Sequence, residues 1–151
     1  MTNPVIKEIE VSCDALKAFD VFVGKTINWW PVEHHTVSAG AGKAAQAVKI
    51  EPRLGGAVYE VKFDGSRTEW GEVIAYREGQ YLAMTWHPGT DPNTPTKVEI
   101  RFEDIANGRC KVTLTHSGWE VWAAKADDMR NGYNSGWVHV FEECFAGACA
   151  G

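Results

Sequence analysis

Two kinds of periodicity meet in this chain near Gly118, and together they restrict its fold more than any other feature. Before it lie six short segments, residues 48–51, 57–63, 68–76, 80–86, 96–103 and 110–116, rich in β-branched and aromatic side chains. Turn formers separate them: Leu54-Gly55-Gly56, Asp64-Gly65, Glu78-Gly79, a stretch from Pro88 to Pro95, and Asn107-Gly108. Connections this short join antiparallel neighbours, because a parallel pair needs a crossover of roughly a dozen residues or more. The segments therefore predict a meander. Alternation places Tyr59, Val61 and Phe63 on one face of their strand. It does the same for Leu82, Met84 and Trp86, for Val98, Ile100 and Phe102, and for Val112, Leu114 and His116. These inward sets make one curved apolar surface. Residues 68–76 carry apolar side chains on both parities, so the pattern does not orient Trp70.

Beyond Gly118 the period becomes helical. Trp122, Ala126, Met129, Tyr133, Trp137, Val140 and Cys144 fall within one stripe, widened by Phe141. Such a helix needs a large apolar partner, and the curved sheet matches it in size. The predicted class is α+β, with strands gripping a long C-terminal helix. Gly132 and Gly136 lie inside the stripe, where each costs ~1 kcal/mol relative to Ala. Either they let the helix approach the sheet closely, or they move its start toward Ser135. Upstream, Val5, Lys7, Ile9 and Val11 share one side of a first strand. Ser12 ends that strand and caps a helix over 13–23, which Gly24 closes. A second short helix over 25–30 stops before Pro31, and residues 32–45 read as a loop.

At 151 residues the chain has the length of one domain, predicted here over residues 1–151, which buries roughly 70% of its unfolded surface. With 44% hydrophobic and 23% charged residues, it has the composition of a folded protein. A net charge of -5 with singly scattered basic residues excludes a nucleic-acid surface. No apolar run is long enough for membrane insertion and no leader-like start is present, which predicts a cytoplasmic protein. Cys13, Cys110, Cys144 and Cys149 lack paired spacing and read as reduced thiols, with Cys144 in the core. Seven tryptophans suit either a thick core or the wall of a pocket.

Several motifs, in order along nearly the whole chain, carry a family resemblance. They are Trp29-Trp30-Pro31 followed by His35 and Val37, Glu51-Pro52-Arg53-Leu54-Gly55-Gly56 with Glu60, Trp70-Gly71-Glu72-Val73, and Leu82-Ala83-Met84-Thr85-Trp86. Thr113-Leu114-Thr115-His116-Ser117-Gly118-Trp119 and Gly136-Trp137 complete the set. With the element order, they resemble the helix-grip, START-like fold of the SRPBCC superfamily, in its bacterial branch similar to activators of a heat-shock chaperone ATPase. The resemblance implies a cavity between the concave sheet and the long helix. It implies no single activity, since carriers, receptors, cyclases and chaperone partners share this scaffold.

A cavity so placed nominates Tyr59, Phe63, Trp86, Phe102 and His116 from the sheet, and Trp30, Tyr133, Trp137 and Phe141 from the helices, as ligand-binding residues. Each taken singly also fits a role in the core. His116 is the one ionisable residue on the inward parity of its strand, which makes it a pocket hydrogen-bonding group, a weak catalytic candidate, or a satisfied core histidine. His34, His35 and His87 lack metal-ligand spacing, so neither a metal nor another cofactor is expected. Arg53 reads as a surface residue pairing with Glu51 or Glu60. No nucleophile elbow or phosphate-cradling loop supports catalysis. The resulting expectation is a binding domain for a hydrophobic small molecule. The rivals are an enzyme of cyclase, dehydratase or hydrolase type and a chaperone-interacting module, and a homodimer stays open.

Overall fold

Seven strands form one antiparallel sheet in the order β1-β7-β6-β5-β4-β3-β2. They are β1 (Val5–Val11), β2 (Ala47–Ile50), β3 (Ala57–Val61), β4 (Arg67–Arg77), β5 (Tyr81–Trp86), β6 (Thr96–Ile105) and β7 (Arg109–Ser117). This computed structural model describes residues 2–150; Met1 and Gly151, the ends of the expected domain, lie outside the described residues. All strands except β1 follow one another as neighbours, as short connections require. Two helices, α1 (Ala15–Gly24) and α2 (Thr26–Trp29), follow β1. Asp14 rather than Ser12 caps α1, its carboxylate accepting from Lys17 N at 2.9 Å. No helix is long and apolar enough to cross a membrane among the described residues.

The C-terminal helix begins at Ala126, after a turn of tighter helix (Trp119–Lys125) broken at Ala123, whose φ is 48°. It runs through both glycines as α3 (Ala126–Trp137), widens into a π-helical stretch (Val138–Phe145), and ends as α4 (Ala146–Ala150). The wider turn rotates later side chains away from the simple helical stripe. Phe145 is thereby fully buried and stacked on Phe141 at 5.6 Å, whereas Cys144, expected in the core, is only half-buried.

Inward parity holds in β5, β6 and β7, where Leu82, Met84, Trp86, Val98, Ile100, Phe102, Val112, Leu114 and His116 are all buried. It is reversed in β3. Val58 and Glu60 point inward, leaving Tyr59 under the Arg67 guanidinium, 3.7 Å from its ring, and Phe63 40% exposed. The register explains Trp70 as well. Val58 pairs with Gly71 and Tyr59 with Glu69, so Trp70 is an extra residue on β4, and a second shift follows between Val73 and Ala75. Two bulges in one strand break strict alternation, and the first turns Trp70 wholly into the interior. Gly71 beside it is obligatory, since a Cβ there would stand 1.8 Å from the Thr85 carbonyl oxygen.

Glu60 is fully buried, and four donors surround its carboxylate. Val37 N and Trp70 Nε1 donate to Oε1 at 2.7 and 3.2 Å; Ser38 N and Ser38 Oγ donate to Oε2 at 2.9 and 2.6 Å. Arg53 turns the other way and pairs with Glu51 at 3.2 Å on the surface. Replacing Glu60 by Gln turns an amide N–H toward backbone or indole N–H groups that can only donate, Ser38 N on one side or Val37 N and Trp70 Nε1 on the other. Glu60→Gln is expected to lower unfolding free energy by about 2 to 4 kcal/mol in chemical denaturation. A loss below about 0.5 kcal/mol would show that the loop is held by something else.

Candidate functional site

The aromatic interior divides into two regions. At one end, α1 and α2 fill the concavity: Phe19 and Phe22 lie 5.2 and 6.2 Å from Phe102, and Phe22 and Trp29 lie 5.1 and 5.2 Å from Phe145. At the other end stand Trp30, Trp70, Trp86 and Trp137, with Trp86 5.4 Å from Trp70, 5.6 Å from Trp137 and 6.1 Å from Trp30. Their rings tilt against one another and leave a pocket of about 490 Å³, open on one side. Its size suits a small organic molecule.

Of the residues nominated from sequence, Trp30, Trp86, Tyr133 and Trp137 line this pocket. Phe102 and Phe141 lie in the filled end and do not. Tyr59 and Phe63 are outside because β3 has the opposite facing. His34 and His35 also line the pocket, together with Trp70, whose orientation the strand pattern left open. Sequence reasoning missed Val37, Met129 and Asp128 as wall residues, although Met129 lay on the predicted stripe. Gly132 and Gly136, one helical turn apart, complete the helix side. A Cβ on Gly132 would meet nothing within 4 Å, and one on Gly136 would meet only the His35 ring, at 3.6 Å. The two glycines thus hollow the helix face rather than draw it onto the sheet.

His116 lies behind this wall, fully buried. Trp137 Nε1 donates to its Nδ1 at 3.0 Å, so that nitrogen carries the lone pair. The proton of the neutral ring is then on Nε2 and is given to Thr96 Oγ1 at 2.7 Å, while the Thr96 hydroxyl donates to the Trp86 carbonyl at 3.1 Å. Every polar atom is used, and burial pushes the His116 pKa down to about 3. Such an imidazole stays neutral and fixes Trp137 relative to Trp86. It does not reach the pocket, so it is a satisfied core histidine.

The indole N–H of Trp86 differs from its neighbours in making no hydrogen bond, although the residue is only 5% exposed. Tyr133 is close enough that Trp86 opposes the rise that burial gives its phenol pKa, but the pair falls short of hydrogen-bond geometry. An unsatisfied buried donor costs about 1 to 3 kcal/mol. At the pocket mouth His35, 5.6 Å from the His139 ring, is held below its usual pKa by burial and then by His139 and His34. No group of three or more metal-ligating side chains has metal-binding geometry among the described residues.

Residues 17–146 match the family model described as "Activator of Hsp90 ATPase homolog 1-like protein". Among curated proteins no sequence match was found. Among solved structures, the chain is similar to an anthrahydroquino-γ-pyrone synthase at 24% identity and a TM-score of 0.64, covering 97% of this chain and 96% of that one. It is similar to a self-sacrificing resistance protein, CalC, from Micromonospora echinospora at 21% identity and a TM-score of 0.67, with 97% and 94% covered. An HSP90 activator from Plasmodium falciparum matches at 16% identity and a TM-score of 0.52, with 78% and 74% covered. At these identities the likeness shows the helix-grip fold and no more.

The depressed His116 pKa has a consequence for stability. Between its ordinary value of 6.5 and about 3, the unfolded chain binds a proton that the folded protein refuses. Stability is therefore fully present above pH 6.5 and falls on acidification, by up to ~1.4 kcal/mol per pH unit. From pH 7 to 5 this amounts to about 2 kcal/mol. His116→Asn is expected to be less stable at pH 7 yet to lose about 2 kcal/mol less than the wild type over that interval. Parallel pH profiles for the two proteins would contradict a neutral buried His116.

Proposed function

The chain belongs to the Activator of Hsp90 ATPase homolog 1-like family, and from that premise we propose that it is a one-domain binding protein for a small hydrophobic molecule. The observation that carries this reading is the open pocket of about 490 Å³ walled by four tryptophans. A molecule burying roughly 200 Å² there gains about 5 kcal/mol from apolar burial before the costs of immobilisation. Trp30, Trp86, Tyr133 and Trp137 are the contact residues. The four unpaired thiols suit a cytoplasmic protein.

Chaperone activation is the second reading, favoured by the family description and by the fold shared with an HSP90 activator. It would use the outer surface, and pocket substitutions would leave it intact. Catalysis loses its sequence candidate, because His116 is off the pocket; its titratable groups are His34, His35, Asp128 and Tyr133.

Gly132 separates binding from folding. Gly132→Leu extends a side chain from the pocket wall, while replacing a helical glycine by a good helix former gains up to about 1 kcal/mol. Titration with the neutral fluorophore N-phenyl-1-naphthylamine should saturate in the wild type and fail in Gly132→Leu, whose melting temperature is unchanged or higher. No saturation in the wild type, or equal affinity in both proteins, would refute the pocket as the binding site.

A further inference from the structure

The π-helical stretch Val138–Phe145 has a second effect besides turning Phe145 into the core. In a regular α-helix, side chains five residues apart point about 140° away from one another around the axis. The wider turn closes that angle, and His139 Nε2 and Cys144 Sγ come to 3.7 Å. Glu143, four residues after His139, places Oε1 3.1 Å from Nδ1 of the same ring. A carboxylate only accepts, so in the neutral imidazole Nδ1 carries the proton and donates it to Glu143. Nε2 then holds the lone pair and receives the S–H of Cys144. Carboxylate, imidazole and thiol stand in the order of orienter, base and nucleophile.

Cys144 differs from the other three thiols. Cys13, Cys110 and Cys149 are buried, and burial pushes the last two up to about 12, whereas Cys144 is half-buried. The side chains of His139 and Glu143 are 43% and 62% exposed, so the three groups sit at the surface. Burial, then Glu143 and Glu33, hold the Cys144 thiol above its ordinary pKa. At rest it is a thiol and not a thiolate, and a base must take the proton as sulfur attacks. The same two carboxylates disfavour an anionic reagent. His34 and His35 put their rings 6.3 and 5.6 Å from that of His139 and line the pocket, so the three groups adjoin its mouth without forming its wall.

We propose that Cys144 is a nucleophilic site for neutral α,β-unsaturated carbonyl compounds, with His139 as its general base and Glu143 as the residue that positions His139. Sulfur bonds the β-carbon as Nε2 takes the thiol proton, and the alkene π pair shifts toward the carbonyl oxygen to give an enolate. The imidazolium then returns the proton to the α-carbon. One S–H bond and one C=C π bond are replaced by one S–C and one C–H bond, and no oxidant or reductant enters. An enone suits the arrangement because it consumes both the sulfur nucleophile and the proton that His139 has taken. The product is a thioether on Cys144, and its formation does not require a molecule in the pocket.

Native protein treated with phenyl vinyl ketone at pH 7, with the adducts located by peptide mass spectrometry, tests this. Cys144 is expected to be alkylated first, about tenfold or more faster than N-acetylcysteinamide, and His139→Gln should remove that advantage. Glu143→Ala should slow the reaction about threefold or more, while Glu143→Gln, whose amide oxygen still accepts from Nδ1, should keep the wild-type rate. Between roughly pH 6 and 8 the rate in His139→Gln should rise about tenfold per unit with the thiolate fraction, and the wild-type rate more shallowly. A merely structural role for His139 would leave the two slopes equal. If His139→Gln does not fold, the wild-type slope and the order of labelling give the answer. The anionic enone β-benzoylacrylate should show a rate advantage over free thiol about threefold smaller than that of phenyl vinyl ketone. Labelling of Cys13, Cys110 or Cys149 ahead of Cys144, a rate unaffected by His139→Gln, or a wild-type slope of tenfold per unit overturns the proposal. Equal advantages for the two reagents overturn the preference for a neutral one.

Discussion

A carboxylate placed in an apolar interior demands donors, and Glu60 obtains all of its donors from segments distant in sequence. Two backbone N–H groups and a hydroxyl come from Val37 and Ser38, and an indole N–H from Trp70. Ser38 Oγ in turn accepts from Phe63 N at 3.1 Å, which ties the network to the end of β3. Without this centre the segment after Pro31 would have no regular structure to hold it, because only a short tight turn (Ser38–Ala41) interrupts it. His34, His35, Thr36 and Val37 form one wall of the pocket. The pocket therefore depends on a buried charge that does not itself line it.

Hydrogen bonding from indoles gives the opposite walls their rigidity. Trp30 Nε1 donates to the His35 carbonyl at 2.9 Å, closing the loop onto α2, and Trp137 Nε1 donates to His116 at 3.0 Å, closing the helix onto β7. Rings held at both the edge and the face do not collapse easily into an adjoining void. Collapse is resisted from the helix side too. The continuous helix sets the distance to the sheet by its large residues, Trp137, Val140 and Phe141, and leaves the glycine positions empty. One end of the interior is a packed aromatic core and the other an open pocket, although the residue types in the two ends are nearly the same.

This similarity of composition explains why the pocket was only partly legible in the sequence. Trp86 and Phe102 both sit on inward parity, but Phe102 faces α1 and Trp86 faces the void. Nothing in the local sequence distinguishes them. Tyr59 and Phe63 were misplaced because three apolar residues on one parity outweigh a strand partner set containing a glutamate. That count takes a carboxylate to be solvated, which fails when four donors wait for it. Cys144 was misplaced by one residue for a different reason. A uniform helical period assumes a uniform turn, and the π-helical stretch brings Phe145 to the core instead.

What the sequence determined by itself was the order and type of the elements. Seven strands, two short helices and a terminal helix follow from side-chain periods and turn residues, which are properties of neighbouring covalent units. It also determined the inward faces of β5, β6 and β7, where alternation runs unbroken. Tertiary structure decided the facing of β3, the orientation of Trp70, the neutrality of His116 and the lone N–H of Trp86. Each depends on whether a polar atom meets a complementary one after folding. That is settled between residues such as Glu60 and Ser38 or His116 and Trp137, about twenty positions apart. A local period carries no record of partners brought together across such a distance.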